Sequence, residues 1–136
     1  MNQRHPGAWL YWVLAPFLLL ALSLATTTGA RANDQTVDFR NDVIPVLTKL
    51  GCNTGACHGA AIGRGGFRLS LYGGGPDSDY LTITRELRGR RINWVDPDQS
   101  LLLLKPTEQT EHGGGSRMTA DDEAYEILAR WIKQGA

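Results

Sequence analysis

Cys52-Asn53-Thr54-Gly55-Ala56-Cys57-His58 carries two thiols with four residues between them and an imidazole directly after the second. Two thiols can add across the vinyl groups of a porphyrin, and the next residue can offer its imidazole to the iron from one face. The usual attachment signature has two residues between the cysteines, so this stretch is a wider variant of it. Two other chemistries use the same residues. In an exported protein a pair of cysteines is most often a disulfide, here a bridge closing the Cys52–Cys57 loop. Zinc would need two ligands besides the cysteines, with His58 and His112 as the candidates, at a spacing unlike a known finger. A disulfide has no use for His58, nor for an apolar helix ending at Gly51 just before the first cysteine. One covalently attached haem c, with its iron, uses every residue of the stretch.

His58 is then the proximal iron ligand, held close by the thioether at its neighbour Cys57. The far side of the iron has two candidates. Met118 lies in a loop before the last helix, after a glycine-rich run, and a thioether there raises the reduction potential because sulfur favours ferrous iron. Its bland role is to fill a gap in the core. His112 sits at the mouth of the Gly113-Gly114-Gly115 loop, flexible enough to bring it onto the iron, and a His/His pair gives a lower potential. An open sixth position is the third option. Arg64, Arg68, Arg90, Arg91 and Arg117 are candidate partners for haem propionates, although each taken singly also reads as a solvated surface arginine. Trp94 reads equally as a porphyrin contact and as a core tryptophan. The glycines around Arg64 do not form a phosphate loop, since the Gly-Lys-Ser/Thr ending is missing.

The elements that must position these residues follow from periodicity. Phe39, Val43, Val46, Leu47 and Leu50 recur at helical spacing, with Asp38 as N-cap and Gly51 as terminator. Pro45 cannot donate an internal hydrogen bond, so this helix is expected to kink there or to begin its regular part there. Gly59 to Gly75 is glycine-rich, and Phe67 to Tyr72 alternates apolar and polar, as a short strand or an extended segment would. Asp79 is expected to cap a short helix through Leu87. Asp96-Pro97-Asp98 opens another, Gln99 to Leu104, stopped by Pro106. Thr119 to Asp122 reads as a capping box with Asp in the acidic place. Tyr125, Leu128, Trp131 and Ile132 then form the buried stripe of a last helix closed by Gly135. The fold class is mostly α: a small helical domain around a covalent haem, with glycine-rich loops and one short β element.

The chain has 136 residues and no formal net charge, which allows one domain and gives no sign of a nucleic-acid partner. Residues 1–32 read as a secretory signal: Arg4 and His5, an apolar run from Ala8 to Ala25, then Ala30-Arg31-Ala32 at the cleavage position. The competing reading is an uncleaved membrane anchor, because the run approaches the ~20 residues needed to span; Pro16 and the Ala-x-Ala site favour cleavage. Either way residues 33–136 lie outside the cytoplasmic membrane, in the periplasm or another exported location. Arg4 and Arg31 leave with the leader, so the remaining domain has two fewer basic than acidic residues. His58, His112 and Met118 are then its only histidines and its only methionine. A near-neutral domain predicts weak electrostatic steering toward a redox partner.

Phe39-Arg40-Asn41-Asp42-Val43-Ile44-Pro45-Val46-Leu47, followed by Gly51-Cys52 through Cys57-His58-Gly59, resembles the planctomycete-type cytochrome c domain. Gly66 to Leu71, Asp96-Pro97 with Leu104-Lys105-Pro106, His112-Gly113-Gly114 and Tyr125 to Ala136 extend the resemblance over nearly all of residues 37–136. It implies a small helical cytochrome c fold, haem attached at Cys52 and Cys57, iron held by His58, and single-electron transfer to a redox partner protein; the chain is expected to be an electron carrier rather than an enzyme. In that family the His-Gly-Gly element recurs while the place of Met118 often holds another residue, which strengthens His112. The domain there commonly precedes larger regions, so this chain is expected to be a free-standing carrier, a truncated gene product or one piece of an assembly encoded separately. A haem enzyme or sensor with an open sixth site, and a haem-free module stapled by a disulfide, are the alternative functions.

Overall fold

The computed structural model describes residues 35–136. The leader, anchor and cleavage expectations of residues 1–32 lie outside the described residues. Asp38 starts the first element as expected, its Oδ1 accepting from the Asn41 N–H at 2.8 Å. One wide π-helical turn, Phe39–Val43, then hands over to helix α1, Ile44–Lys49. Pro45 explains the change. It has no N–H to continue an α ladder from the preceding turn, so the regular helix begins around it. Gly51 ends the element with φ +75°, a conformation that favours glycine.

The glycine-rich stretch forms no strand. A single antiparallel bridge joins Arg64 and Phe67, and a short 3₁₀ turn follows at Leu71–Gly73. Helix α2 runs Pro76–Thr84. Asp79 does not cap it, contrary to the sequence expectation. Pro76 starts the helix earlier, so Asp79 falls inside it and its buried carboxylate turns toward Ser70. That carboxylate accepts from the Ser70 N–H and hydroxyl, each at 2.6 Å. Two donors replace the water that burial removes, and the segment after Phe67 is thereby tied to α2.

Helix α3, Glu86–Gly89, is a single turn distorted by left-handed residues at Leu87 and Arg88. A 3₁₀ turn at Pro97–Gln99 leads into helix α4, Leu101–Leu104. Helix α5, Glu123–Lys133, closes the chain. The capping box is displaced: Asp122 itself is the N-cap residue of α5, and its Oδ2 accepts from the Thr119 N–H at 2.6 Å.

Helix α5 carries the expected stripe, with Leu128, Trp131 and Ile132 buried and Tyr125 half-buried. It packs against Val43, Leu47, Ile83 and Leu103 in one apolar cluster. Phe39 sits between Tyr80 and Trp131, at ring-centroid distances of 5.3 and 5.2 Å. Both ends of the described chain meet there: the Val37 N–H donates to Gln134 Oε1 at 2.8 Å and the Tyr80 hydroxyl to the Ala136 carbonyl at 2.8 Å. The fold is therefore mostly helical. Among the described residues no helix is long and apolar enough to cross a membrane.

Gly59, directly after the site histidine, has no room for a side chain. An added Cβ would run into the carbonyl of Asn53. Gly59→Ala should therefore cost about 1–3 kcal/mol, the usual range for overpacking. A urea melt should show a lower midpoint; an unchanged midpoint would mean that the cysteine loop has slack at this point.

Candidate functional site

Helix α1 delivers the chain to the site. The Cys52 N–H donates to the Leu47 carbonyl at 2.9 Å, so the first cysteine is still held by the helix. The loop then closes on itself. Cys57 N–H donates to the Thr54 carbonyl at 3.0 Å, and His58 N–H donates to the Cys52 carbonyl at 2.9 Å. That last bond brings the end of the loop back to its start. Four intervening residues instead of two are absorbed as extra turn, and Cys52, Cys57 and His58 line the same cavity, of about 370 Å³.

His112 lines that cavity as well, from the opposite part of the sequence. The two imidazoles lie 6.3 Å apart between ring centroids and are tilted by only 18°. Each ring is fixed in the same way. His58 Nδ1 meets the Phe67 carbonyl at 3.0 Å, and His112 Nδ1 meets the Gly115 carbonyl at 2.8 Å. A carbonyl can only accept, so each Nδ1 carries a proton. A hydrogen bond from the far nitrogen to a backbone carbonyl is the usual support of a metal-binding histidine.

The ring positions are set by close packing. Phe67 lies against His58 at a centroid distance of 4.5 Å. Gly114 lies against His112: an added Cβ would stand 2.9 Å from Cε1 and 3.2 Å from Nε2. At Gly113 the same atom would meet nothing within 4 Å. The triple glycine is thus used unevenly, for close approach at Gly114 and for a left-handed turn at Gly115, where φ is +72°.

The cavity walls are apolar, from Leu47 and Leu50 on one side to Leu102 and Leu128 on another, and its charged lining has one sign. Arg64, Arg90, Arg91, Lys105 and Arg117 line it with no Asp or Glu among them. Arg117 Nη2 approaches Cys57 Sγ at 3.8 Å. Burial pushes the Cys52 thiol up to about 11, with Cys57 adding to the shift and Arg117 opposing it. Cys52 is therefore a protonated thiol at neutral pH. Both cysteines are free.

His58 falls below its ordinary value of 6.5, first because burial penalises the charged ring, while the Phe67 carbonyl opposes the shift. A neutral imidazole is the form that binds metal.

Of the residues singled out from the sequence, Cys52, Cys57, His58 and His112 are brought together. Met118 is not with them. It is 4% exposed, packs in the apolar cluster with Leu103 and Leu128, and does not line the cavity. Arg68 points elsewhere, to the Ala61 carbonyl. Trp94 is neither a core residue nor a cavity residue; it is 49% exposed. Among the described residues no three His, Cys, Asp or Glu side chains gather as a metal-binding group. Phe67, Lys105 and Gly114 belong to the site and carry no signal in spacing. Only the closeness of a glycine to a histidine hinted at Gly114.

No protein-family model, curated protein or solved structure matches this chain.

The depressed His58 makes a pH prediction for the protein without cofactor. Its contribution to stability is complete above 6.5, the ordinary histidine value. It is lost as pH falls from there toward the depressed folded value, because the unfolded chain then binds the extra proton. The urea midpoint of the wild type should fall as the pH is lowered through this window, and His58→Asn should flatten that part of the curve. Parallel curves would show that His58 titrates alike in the folded and unfolded chain.

Proposed function

We propose that this chain is an exported c-type cytochrome domain that carries one haem on Cys52 and Cys57, holds its iron between His58 and His112, and passes single electrons. The observation that carries the reading is the pair of near-parallel imidazoles, each fixed through Nδ1, in a cavity that also holds both cysteines. Two imidazoles are the donors that a porphyrin iron lacks, and among the described residues no group of three His, Cys, Asp or Glu side chains gathers that would favour a bare metal site. The resemblance to planctomycete-type cytochrome c domains points the same way through Cys52, Cys57, His58 and the His112-Gly113-Gly114 element.

A bound haem would supply the electron chemistry, exchanging ferric and ferrous iron. The protein's own part is threefold. Cys52 and Cys57 would each hold the haem through a thioether, the thiol adding across a vinyl group so that no oxidant is needed. His58 and His112 would offer nitrogen donors whose rings the two backbone carbonyls already hold. Leu47, Leu50, Leu102 and Leu128 would exclude water from the cavity, while exposed Arg64, Arg90 and Arg117 would offer charge to propionates. Met118 is a core residue in this reading, and the His/His pair implies a lower potential than His/Met. Export, and a redox partner outside the cytoplasmic membrane, rest on the leader pattern of residues 1–32.

The reading is tested by producing the chain with a haem-attachment system and staining for haem after denaturing electrophoresis. Wild type should retain pigment and Cys57→Ser should lose most of it; equal pigment in both would end the attachment claim. A second test uses the glycines. Gly114→Ala should displace His112, so that the ferrous protein binds carbon monoxide where wild type resists it, while Gly113→Ala should behave as wild type. Resistance in both variants would remove His112 from the iron.

A further inference from the structure

Arg91 is a charged side chain placed where charge is costly. It is 7% exposed. Its Nη1 donates to the Thr82 carbonyl at 2.7 Å and its Nη2 to the Gly66 carbonyl at 2.9 Å. Its carboxylate partner, Glu86 at 3.4 Å, has a side chain 52% exposed, so water screens the compensating charge more than the cation itself. A buried cation is normally held by an anion buried with it. Here backbone dipoles and an aromatic face stand in for that anion, and the positive charge is only partly neutralised.

The charge sits beside the site. The guanidinium carbon lies 4.4 Å from the centroid of the Phe67 ring, within cation–π range. The same Phe67 packs its ring on His58 and accepts the His58 Nδ1 proton. Arg91 is also part of the cavity lining. Its role differs from that of its neighbours there. Arg64 and Arg90 are exposed and have no ion pair among the described residues, so their donors are available to an anionic ligand. Arg91 has both terminal nitrogens committed inward.

Resting on the haem reading above, we propose that Arg91 is the residue that sets the reduction potential of the site: a fixed buried cation that favours the less positively charged ferrous state and offsets the lowering brought by two histidines. The charge acts through space, at short range and little screened. The hydrogen bonds to Gly66 and Thr82 serve to keep it there.

The test is a potentiometric titration of haem-loaded wild type, Arg91→Gln, Arg91→Lys, Arg90→Gln and Glu86→Gln. Arg91→Gln should shift the midpoint to lower potential, by more than the exposed Arg90→Gln does. Arg91→Lys, which keeps the charge, should stay closer to wild type than Arg91→Gln. Glu86→Gln removes the partial compensation and should shift the midpoint upward. A midpoint in Arg91→Gln equal to that of wild type, or a shift no larger than in Arg90→Gln, would overturn the proposal. If Arg91→Gln does not hold haem, Glu86→Gln decides, since it alters an exposed group: no upward shift overturns the proposal. Wild type that takes up no haem would overturn the haem reading itself, and that result is in hand before any variant is measured.

Discussion

Two backbone carbonyls, those of Phe67 and Gly115, determine what the histidines of this domain can do. An oxygen that only accepts requires a proton on Nδ1 of each imidazole. It also fixes the rotation of each ring. The rest of the fold arranges for those carbonyls to be present. The Arg64–Phe67 bridge presents the first one. Ser70, clamped by the buried carboxylate of Asp79, holds the strand-like segment that follows. Gly115, in its left-handed conformation, presents the second.

The cavity and the core divide the apolar residues between them. Helix α5 faces the core with Trp131 and Ile132, and reaches both core and cavity with Leu128. Met118 falls on the core side of that division, beside Leu103. A cavity lined by five cations and no acid, with apolar walls, is electrostatically complementary to an anionic ligand with an apolar body. The overall neutrality of the chain conceals this. Charge balance computed over 136 residues says nothing of five positive groups gathered around one opening.

The legible parts of the fold were those set by local chemistry. Asp38 as a cap, Pro45 as the start of a regular helix, Gly51 and Gly135 as terminators, and the α5 stripe all depend on neighbours within one or two turns. Asp79 was misread because its partner, Ser70, lies in another element, and an acidic residue near a helix start looks like a cap whichever way it faces. The cysteine loop and His58 stood out by spacing alone. His112 and Met118 could not be separated in sequence, since either lies close enough to the glycine-rich loop to be carried to an iron. The difference is one of direction: the Met118 side chain turns into the core while the His112 ring is held over the cavity. Trp94 and Arg68 show the converse, residues of suitable type that the backbone carries away from the site. Phe67 and Arg91 matter through contacts with His58 and with each other, which no spacing rule encodes.

The central claim is that one iron is held between His58 and His112 with their planes nearly parallel. Electron paramagnetic resonance of the frozen, haem-loaded ferric protein tests it most directly, because the low-spin signal reports both the ligand pair and the angle between ligand planes. An 18° angle predicts a rhombic low-spin signal with three well-separated components, together with no thioether-to-iron charge-transfer band at the red end of the optical spectrum. A high-spin signal, or a low-spin signal accompanied by that band, would contradict the claim and return Met118 or an open position to the far side of the iron.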